Sequence, residues 1–339
     1  MNASDTQGAI PLVRMASLLR YIRYLQAVGA PVGRLLVCSR IPAVLLEHPA
    51  AAVPIESAFR FGELACRTLG TEHLGLSVGL ASALDDLGSY GDMLQRSLTL
   101  YEYLHKGISL FNTLNSAQRL WLSDHGKEFR FNIASAGEPG IAAYQAQMEA
   151  LVVTIGKFRE VAGRDWSPRK ISLAYRTRED LPDIDLFAGS GILRGTGATY
   201  FTFPQALMGL RFPNGGAATT TGDPESPPAR GLPQDLYGLV QLQIENLLSD
   251  QTFEIETVAE TLAMRRRSLQ RSLAQQGLTY SQVLAETRLR RAVDWLDNTD
   301  KPIGEIAFDL GYTDASNFTR AFRRQTGVSP QTFRDKARS

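Results

Sequence analysis

Arginine side chains are concentrated in two stretches near the end of the chain. Arginine is well suited to bind phosphate oxygens and the edges of bases, because its planar guanidinium donates several hydrogen bonds. Between residues 262 and 291 there are seven arginines and one acid, a local charge of +6. Between residues 315 and 339 there are five arginines, one lysine and one acid, a local charge of +5. Such clusters favour neutralisation of a phosphate backbone along one face of the molecule.

The overall composition conceals these clusters. The chain of 339 residues has 36 basic and 35 acidic residues, a net charge of +1. Taken alone, this sum argues against a nucleic-acid partner, because domains that bind nucleic acid are usually visibly basic. Acidic neighbours bring residues 236–339 to 14 minus 13, or +1. The net charge near zero therefore predicts weak non-specific binding to polyanions, and it does not exclude selective binding through the two arginine clusters.

Few residues are available for metal or redox chemistry. Two cysteines exclude a disulfide framework and a multi-thiolate metal site, and four scattered histidines offer few ligands. We expect no catalytic residue, no metal and no cofactor. The chain shows neither a signal-peptide pattern nor an apolar run long enough to span a bilayer, so we expect a cytoplasmic protein with no membrane partner. The cysteines and histidines are Cys38, Cys66, His48, His73, His105 and His125.

Composition divides the chain into two domains. Residues 213–235 are rich in Gly, Pro, Ser and Thr and contain few large apolar side chains, which is typical of a linker. We therefore predict an N-terminal domain over 1–212, a linker over 213–235 and a C-terminal domain over 236–339.

Hydrophobic spacing predicts mixed structure in the first domain and helices in the second. The first domain is predicted to be α/β or α+β, with helices at 12–28, 55–69, 94–114 and 141–161 and strands at 128–133, 170–175 and 200–203. The second domain is predicted to be all-α, with helices at 236–248, 255–262, 268–276, 281–296, 303–310 and 315–326 and a last short helix opened by Ser329 and Pro330.

The second domain contains an internal repeat. Ile255, Val258, Ala259 and Leu262 recur at an offset of 48 as Ile303, Ile306, Ala307 and Leu310. Each copy has a short helix, a tight turn and a second amphipathic helix, and Gly311 suits the left-handed conformation of such a turn. This is the helix-turn-helix layout, in which the second helix enters the major groove of DNA.

Helical spacing separates the inner face of each second helix from its outer face. In the first copy Leu269 and Leu273 point inward, and in the second copy Phe318 and Phe322 do so. The outer residues are the candidate DNA contacts, because arginine and short polar side chains bond to base edges and phosphates. They are Arg267, Gln270 and Arg271 in the first copy and Ser316, Asn317, Arg320 and Arg324 in the second.

The stretch from Ile303 to Arg334 resembles the C-terminal signature of AraC/XylS-type transcription regulators. The resemblance covers about residues 236–336. It implies seven helices, with the two helix-turn-helix units joined by a long helix over 281–296. By motif position, it assigns DNA contacts to Arg267, Gln270 and Arg271 and to Ser316, Asn317 and Arg320.

One position departs from that family pattern. Where the family usually has a serine that caps the first recognition helix, this chain has Arg265, so the side-chain cap is lost at a cost of about 1 kcal/mol. The arginines at 265, 288, 290 and 291 are open to two interpretations, specific contact with DNA or contact only with phosphate, acidic neighbours or water.

The first domain resembles, more weakly, the N-terminal effector domain of a non-cupin branch of these regulators. The residues that carry this resemblance lie in 74–79, 88–91, 200–203 and 207–213. It implies a small-molecule effector and a homodimer that binds promoter DNA, with RNA polymerase as a further partner if the chain is an activator. It does not identify the effector or its binding residues. Two alternatives are an enzyme fused to a DNA-binding module, which no catalytic motif supports, and a dimerisation domain without ligand.

Several other features have two interpretations. The glycine-rich stretch 189–197 could cradle a phosphate, but it lacks the P-loop ending and is better explained as a turn-rich connection. The two cysteines could be redox sensors, although isolated cysteines are more often buried apolar residues. Four aromatic residues could line an effector pocket, although core packing is favoured: Tyr101, Tyr103, Phe111 and Trp121.

Overall fold

The computed structural model describes residues 10–136, 140–213, 231–233, 235–248 and 250–337. The chain divides into two compact units, an N-terminal unit over residues 11–232 and a C-terminal unit over residues 233–337. Most of the predicted linker, residues 214–230 and 234, lies outside the described residues.

The N-terminal unit mixes helices and strands, which confirms the predicted α/β class. Helices Ile55–Leu69 and Ile141–Ala162 match their predictions closely. Strong apolar periodicity defines the first, a long stretch rich in apolar residues defines the second, and a glycine follows each. In chain order the elements are β1 (Leu12–Arg14), α1 (Met15–Ala27), α2 (Val32–Ser39), β2 (Ala52–Pro54), α3 (Ile55–Leu69), α4 (Leu74–Ala81), α5 (Ser89–Gln95), α6 (Leu100–Leu110), β3 (Gln118–Asp124), β4 (Glu128–Ser135), α7 (Ile141–Ala162), β5 (Lys170–Leu173), β6 (Gly191–Arg194) and β7 (Thr199–Pro204).

Two sheets organise these elements. β1 and β2 form a small antiparallel pair, and the other strands form a five-stranded sheet in the order β3-β4-β7-β5-β6. All neighbours in the larger sheet are antiparallel except β5 and β6. Helix α7 contributes Met148, Ile155 and Phe158 to a buried core shared with the sheet, where Phe158 meets Phe201 and Phe203 edge to face. A second core joins α1, α2 and α3.

The predicted helix over 94–114 was wrong in its extent. The chain leaves the helix after Gln95 and re-enters it at Leu100, because Thr99 accepts a hydrogen bond from the Glu102 amide and caps α6. Apolar residues continue at helical spacing on both sides of this break, so their periodicity alone predicts one continuous helix.

Smaller differences have similar local causes. The helix predicted from residue 12 begins at Met15, because Leu12–Arg14 pairs as a strand. In the glycine-rich stretch, Gly191–Arg194 pairs in parallel with β5 as a strand, flanked by turns at Gly189 and Gly195 with φ of 72° each.

The C-terminal unit is helical throughout its described residues, and the seven predicted helices are all present there. They are α8 (Leu236–Leu247), α9 (Ile255–Thr261), α10 (Arg266–Gln275), α11 (Tyr280–Asn298), α12 (Ile303–Asp309), α13 (Ala315–Thr326) and α14 (Pro330–Ala337). The long helix α11 begins with a capping box formed by Thr279 and Gln282, and it joins the pair α9–α10 to the pair α12–α13. In every described helix the apolar content is too low or the length too short for a bilayer crossing.

Candidate nucleic-acid interface

The first helix-turn-helix unit is formed by α9 and α10. Val258 and Ala259 on α9 and Leu269 and Leu273 on α10 are fully or almost fully buried, so the apolar stripe predicted from the sequence holds the two helices together. Ala263 occupies the turn with a φ of 53°, the left-handed region in which a side chain is strained.

The outer face of α10 carries the three candidate contacts of the first unit. Arg267, Gln270 and Arg271 are all exposed, and their spacing of three and four residues places them on one side of the helix. Among the described residues, none bonds or pairs with these three side chains. Their donors and acceptors are therefore available to an external partner.

The start of α10 lacks a side-chain cap. Arg265 occupies the N-cap position in extended conformation and accepts no hydrogen bond through its side chain, as expected from the departure at this position. Arg266, the next residue, pairs with Glu256 of α9 at 2.5 Å, and both side chains are about half exposed.

The second unit, α12 and α13, has a glycine at the turn and a side-chain cap on its second helix, both of which the first unit lacks. Gly311 takes a φ of 72° there, as its residue type predicted, and Phe318 and Phe322 are buried. The N-cap of α13 is Asp314, whose carboxylate accepts a hydrogen bond from the Asn317 amide at 2.7 Å. Sequence reasoning missed this cap, although an Asp directly before an amphipathic run is a standard signal for one.

The outer face of α13 carries the candidate contacts of the second unit. Ser316, Arg320 and Arg324 are exposed and follow one another at intervals of four residues. Asn317 differs from them. Its side-chain nitrogen donates to Thr313 Oγ1 at 3.0 Å and to Asp314 Oδ2 at 2.7 Å, while its oxygen accepts from Arg320. Asn317 thus links the cap to Arg320, whose other donors remain free to bond elsewhere.

Arg288 lies between the two units and makes contacts within the protein. Its guanidinium carbon is 4.7 Å from the centre of the Phe253 ring and 4.8 Å from that of Tyr312. Nη2 donates to the Gly311 carbonyl at 3.1 Å, and burial lowers the pKa of the guanidinium. The sequence-based interpretations considered DNA, acidic neighbours and water, whereas the structure places this guanidinium against two aromatic rings and a backbone carbonyl.

Two further arginines of α11 pair with acidic side chains. Arg290 bonds to Gln241 at 2.8 Å and to Glu245 at 2.6 Å, both on α8, and Arg291 bonds to Asp294 at 3.0 Å. Part of the local charge of +6 is therefore neutralised within the protein. The cations that stay available in the first unit are concentrated on and beside α10.

The other candidate residues fall in the N-terminal unit. His73 is buried and bonds to the Tyr144 hydroxyl and the Asp180 carbonyl, both at 3.0 Å, so it packs within the core. Burial raises the pKa of the Cys66 thiol to about 12, which disfavours the reactive thiolate. Tyr103 and Phe111 are buried and line a pocket, whereas Tyr101 is half exposed. Among the described residues, no three His, Cys, Asp or Glu side chains form a group that could hold a metal ion.

Two family models match the chain. Residues 29–212, more than half of the 339 residues, match the arabinose-binding N-terminal domain of the AraC transcription regulator. Residues 258–336 match a helix-turn-helix domain that covers the two units described above.

Individual relatives match the chain over short stretches. The ornithine utilization regulator of Pseudomonas aeruginosa is 45% identical over 82 residues, which are 24% of each chain. The regulator VqsM of the same organism is 39% identical over 88 residues, 26% of this chain and 27% of its own length. The match thus spans about a quarter of these relatives. Among solved structures, the regulator CdpR of Pseudomonas aeruginosa is 21% identical with a TM-score of 0.43, over 94% of this chain and 98% of that one.

Proposed function

Because this chain belongs to the AraC family of transcription regulators, we propose that it binds promoter DNA through both helix-turn-helix units under the control of a small-molecule effector. The observation that carries the proposal is the pair of second helices, α10 and α13, each with a buried apolar face and an exposed face rich in arginine.

The proposed contacts divide by chemistry. Arg271 and Arg320 lie centrally on their helices and suit bidentate bonds to guanine, which specify sequence. Arg267 and Arg324 lie one turn away on the same faces and suit phosphate contacts, which position the protein. Gln270 and Ser316 lie beside them and suit shorter bonds to bases or phosphates, and Asn317 acts partly by orienting Arg320.

The N-terminal unit is proposed to bind the effector, and the match of residues 29–212 to an effector domain supports this role. Effector binding alters promoter occupancy only if the effector binds the DNA-competent state and the other state with different affinity. We further propose a cytoplasmic homodimer that acts by binding and not as an enzyme, with RNA polymerase as a partner if it is an activator.

Chromatin immunoprecipitation with sequencing, followed by anisotropy titrations on the recovered sites, tests the DNA-binding part of the proposal. Arg320→Ala is expected to cost about 1–3 kcal/mol of binding free energy and to relax the preference at one base pair. Arg34→Ala, an exposed arginine of the N-terminal unit, is the matched control and should leave affinity unchanged. Equal affinities of Arg320→Ala and the parent chain at fixed salt would remove Arg320 from the interface.

A further inference from the structure

A pocket of about 120 Å³ lies within the N-terminal unit, among α1, α3, α6 and α7. Its wall is largely apolar, with Leu18, Leu87, Leu94, Phe111 and Val153 among the lining residues. An enclosed apolar cavity of roughly 150 Å³ binds benzene in another protein. This pocket is somewhat smaller but partly open, so a small organic ligand can fill it and extend beyond it.

Open space next to Gly62 shows where this pocket can be filled. Gly62 is buried within α3 and lines the pocket, yet a Cβ atom added there would meet no atom within 4 Å. A buried position in a closely packed interior normally lacks such room. The space therefore belongs to a preformed pocket beside α3.

Three hydrogen-bond donors on two residues that line this pocket have no partner among the described residues, and each of these atoms is itself buried. They are Nε and Nη1 of Arg20 and the hydroxyl of Tyr21, and both residues are more than nine-tenths buried. Burial raises the pKa of the Tyr21 hydroxyl, so this group stays protonated and able to donate. A buried donor without an acceptor costs folding free energy, which an acceptor atom on a ligand would recover.

The charge of the pocket is already balanced. Nη2 of Arg20 pairs with the carboxylate of Glu149, whose side chain is 7% exposed and also lines the pocket. An anionic ligand would add a second negative charge beside Glu149 in a poorly hydrated site, at a large desolvation cost. The unpaired donors thus favour an uncharged acceptor.

A sugar fits this wall poorly. Two polar side chains of the lining, Asn115 and Gln145, are already bonded to Gln118 and to the backbone around Gly75. Most of the remaining lining is apolar, so several hydroxyl groups of a pentose would face apolar side chains without partners of their own.

We infer that this pocket binds a small, uncharged, largely apolar molecule with a carbonyl or ether oxygen that accepts hydrogen bonds from Arg20 and Tyr21, and that such a molecule is the effector. The inference rests on the proposed function only where it identifies this molecule as the effector. The ligand class follows from the pocket itself.

Three compounds of the same shape and size test the ligand class on the full chain by isothermal titration calorimetry: acetophenone, isopropylbenzene and benzoate. Acetophenone offers a neutral acceptor, isopropylbenzene offers none, and benzoate carries a negative charge. A hydrogen bond to a charged donor predicts that acetophenone binds roughly ten-fold tighter than isopropylbenzene. Tighter binding of benzoate or L-arabinose, equal binding of acetophenone and isopropylbenzene, or no binding of either would overturn the inference.

Two variants locate the binding. Gly62→Leu fills the pocket and should abolish acetophenone binding, whereas Gly156→Leu, also in a helix with no atom within 4 Å of its added Cβ but outside this lining, should retain it. Tyr21→Phe keeps the ring and removes one of the donors, so acetophenone should bind about three-fold more weakly, with the bond to Arg20 retained, while isopropylbenzene is unchanged. Retention of acetophenone affinity in Tyr21→Phe, or its loss in Gly156→Leu, contradicts the assigned pocket.

Anisotropy with promoter DNA in the same preparation separates this inference from the proposed function. Acetophenone that binds at the pocket and shifts DNA affinity supports both. Acetophenone that binds at the pocket without any change in DNA affinity supports the ligand class and refutes its role as effector. DNA binding without any pocket ligand overturns the inference and leaves DNA recognition by α10 and α13 in place.

Discussion

Replacing Arg288 with methionine tests whether this arginine joins the two helix-turn-helix units or contacts DNA. The side chain lies between the rings of Phe253 and Tyr312, at 4.7 and 4.8 Å from their centres, and donates to the Gly311 carbonyl. Methionine keeps an unbranched apolar stem of similar reach and removes both the charge and the donors. The variant therefore isolates the contacts of the guanidinium.

The expected loss of stability follows from these contacts. A hydrogen bond from a charged donor contributes about 1.5–3 kcal/mol. Each cation–π contact contributes about 0.5–1 kcal/mol, and more where the cation is desolvated. Methionine recovers part of the lost stabilisation, because its sulfur packs against the two rings and contributes about 0.3–1.5 kcal/mol. We expect a net decrease of about 2 kcal/mol in the free energy of unfolding, roughly a thirty-fold change in the folded-to-unfolded ratio.

Urea unfolding of the full chain, followed by circular dichroism, measures this loss, and Arg267→Met is the matched control. Arg267 is exposed on α10 and bonds to no described residue, so its replacement should leave stability unchanged. It should instead weaken DNA binding and lower the slope of log affinity against log salt by about 1. Arg288→Met should leave that slope unchanged. A stable Arg288→Met protein with a reduced salt slope would refute the structural role and assign Arg288 to the DNA phosphate backbone.

The remaining predictions concern the turns and caps of the same units. Ala263→Gly should raise the free energy of unfolding by about 1 kcal/mol because φ is 53°, and Gly311→Ala should lower it by more, because a Cβ there would lie 2.3 Å from the Phe253 ring. Thermal unfolding checks both, and a stabilised Gly311→Ala would contradict the turn geometry. Arg265→Ser should add the missing cap of α10 and stabilise it by about 1 kcal/mol, whereas Asp314→Ala should cost α13 a similar amount. Hydrogen exchange in the first turn of each helix measures these changes, and no difference in either helix would show that the caps are immaterial.

Sequence reasoning predicted the C-terminal unit well because its information is local. Each helix there has its own apolar stripe, and the repeat at an offset of 48 repeats the turn as well as the helices. The turn at Gly311 was predicted from the residue type alone. Its counterpart, Ala263, takes the same left-handed conformation, which its residue type would not suggest.

The N-terminal unit was predicted less completely because pairing between distant segments determines its structure. Strand β6 lies in a glycine-rich stretch whose sequence predicts a turn-rich connection, and only its pairing with β5 makes it a strand. The ion pair of Arg20 and Glu149 joins α1 to α7, and no local pattern indicates that these two residues meet.

The sequence predicted where the candidate interface lies, but it predicted less well how much positive charge is available there. A count of arginines along the chain gives each one the same weight. In the folded protein, Arg266, Arg290 and Arg291 have acidic partners, and Arg288 lies between two rings. The pair of Arg291 and Asp294 lies within α11 at a spacing of three residues, but the partners of Arg266, Arg288 and Arg290 depend on how the helices pack. The sequence therefore shows the cluster, and the structure shows which of its arginines remain available.

Helix α11 has a consequence for the DNA that such a protein reads. Its 19 residues extend for about 28 Å, and Arg290 and Arg288 fasten it to the elements on both sides. A spacer of this stiffness sets both the distance and the rotational phase between α10 and α13. One base pair inserted between the two recognised segments turns the second by roughly 34° to 36° around the duplex axis, since B-DNA completes a turn in about 10–10.5 base pairs. The operator is therefore expected to tolerate base changes between its two segments far better than changes in their separation.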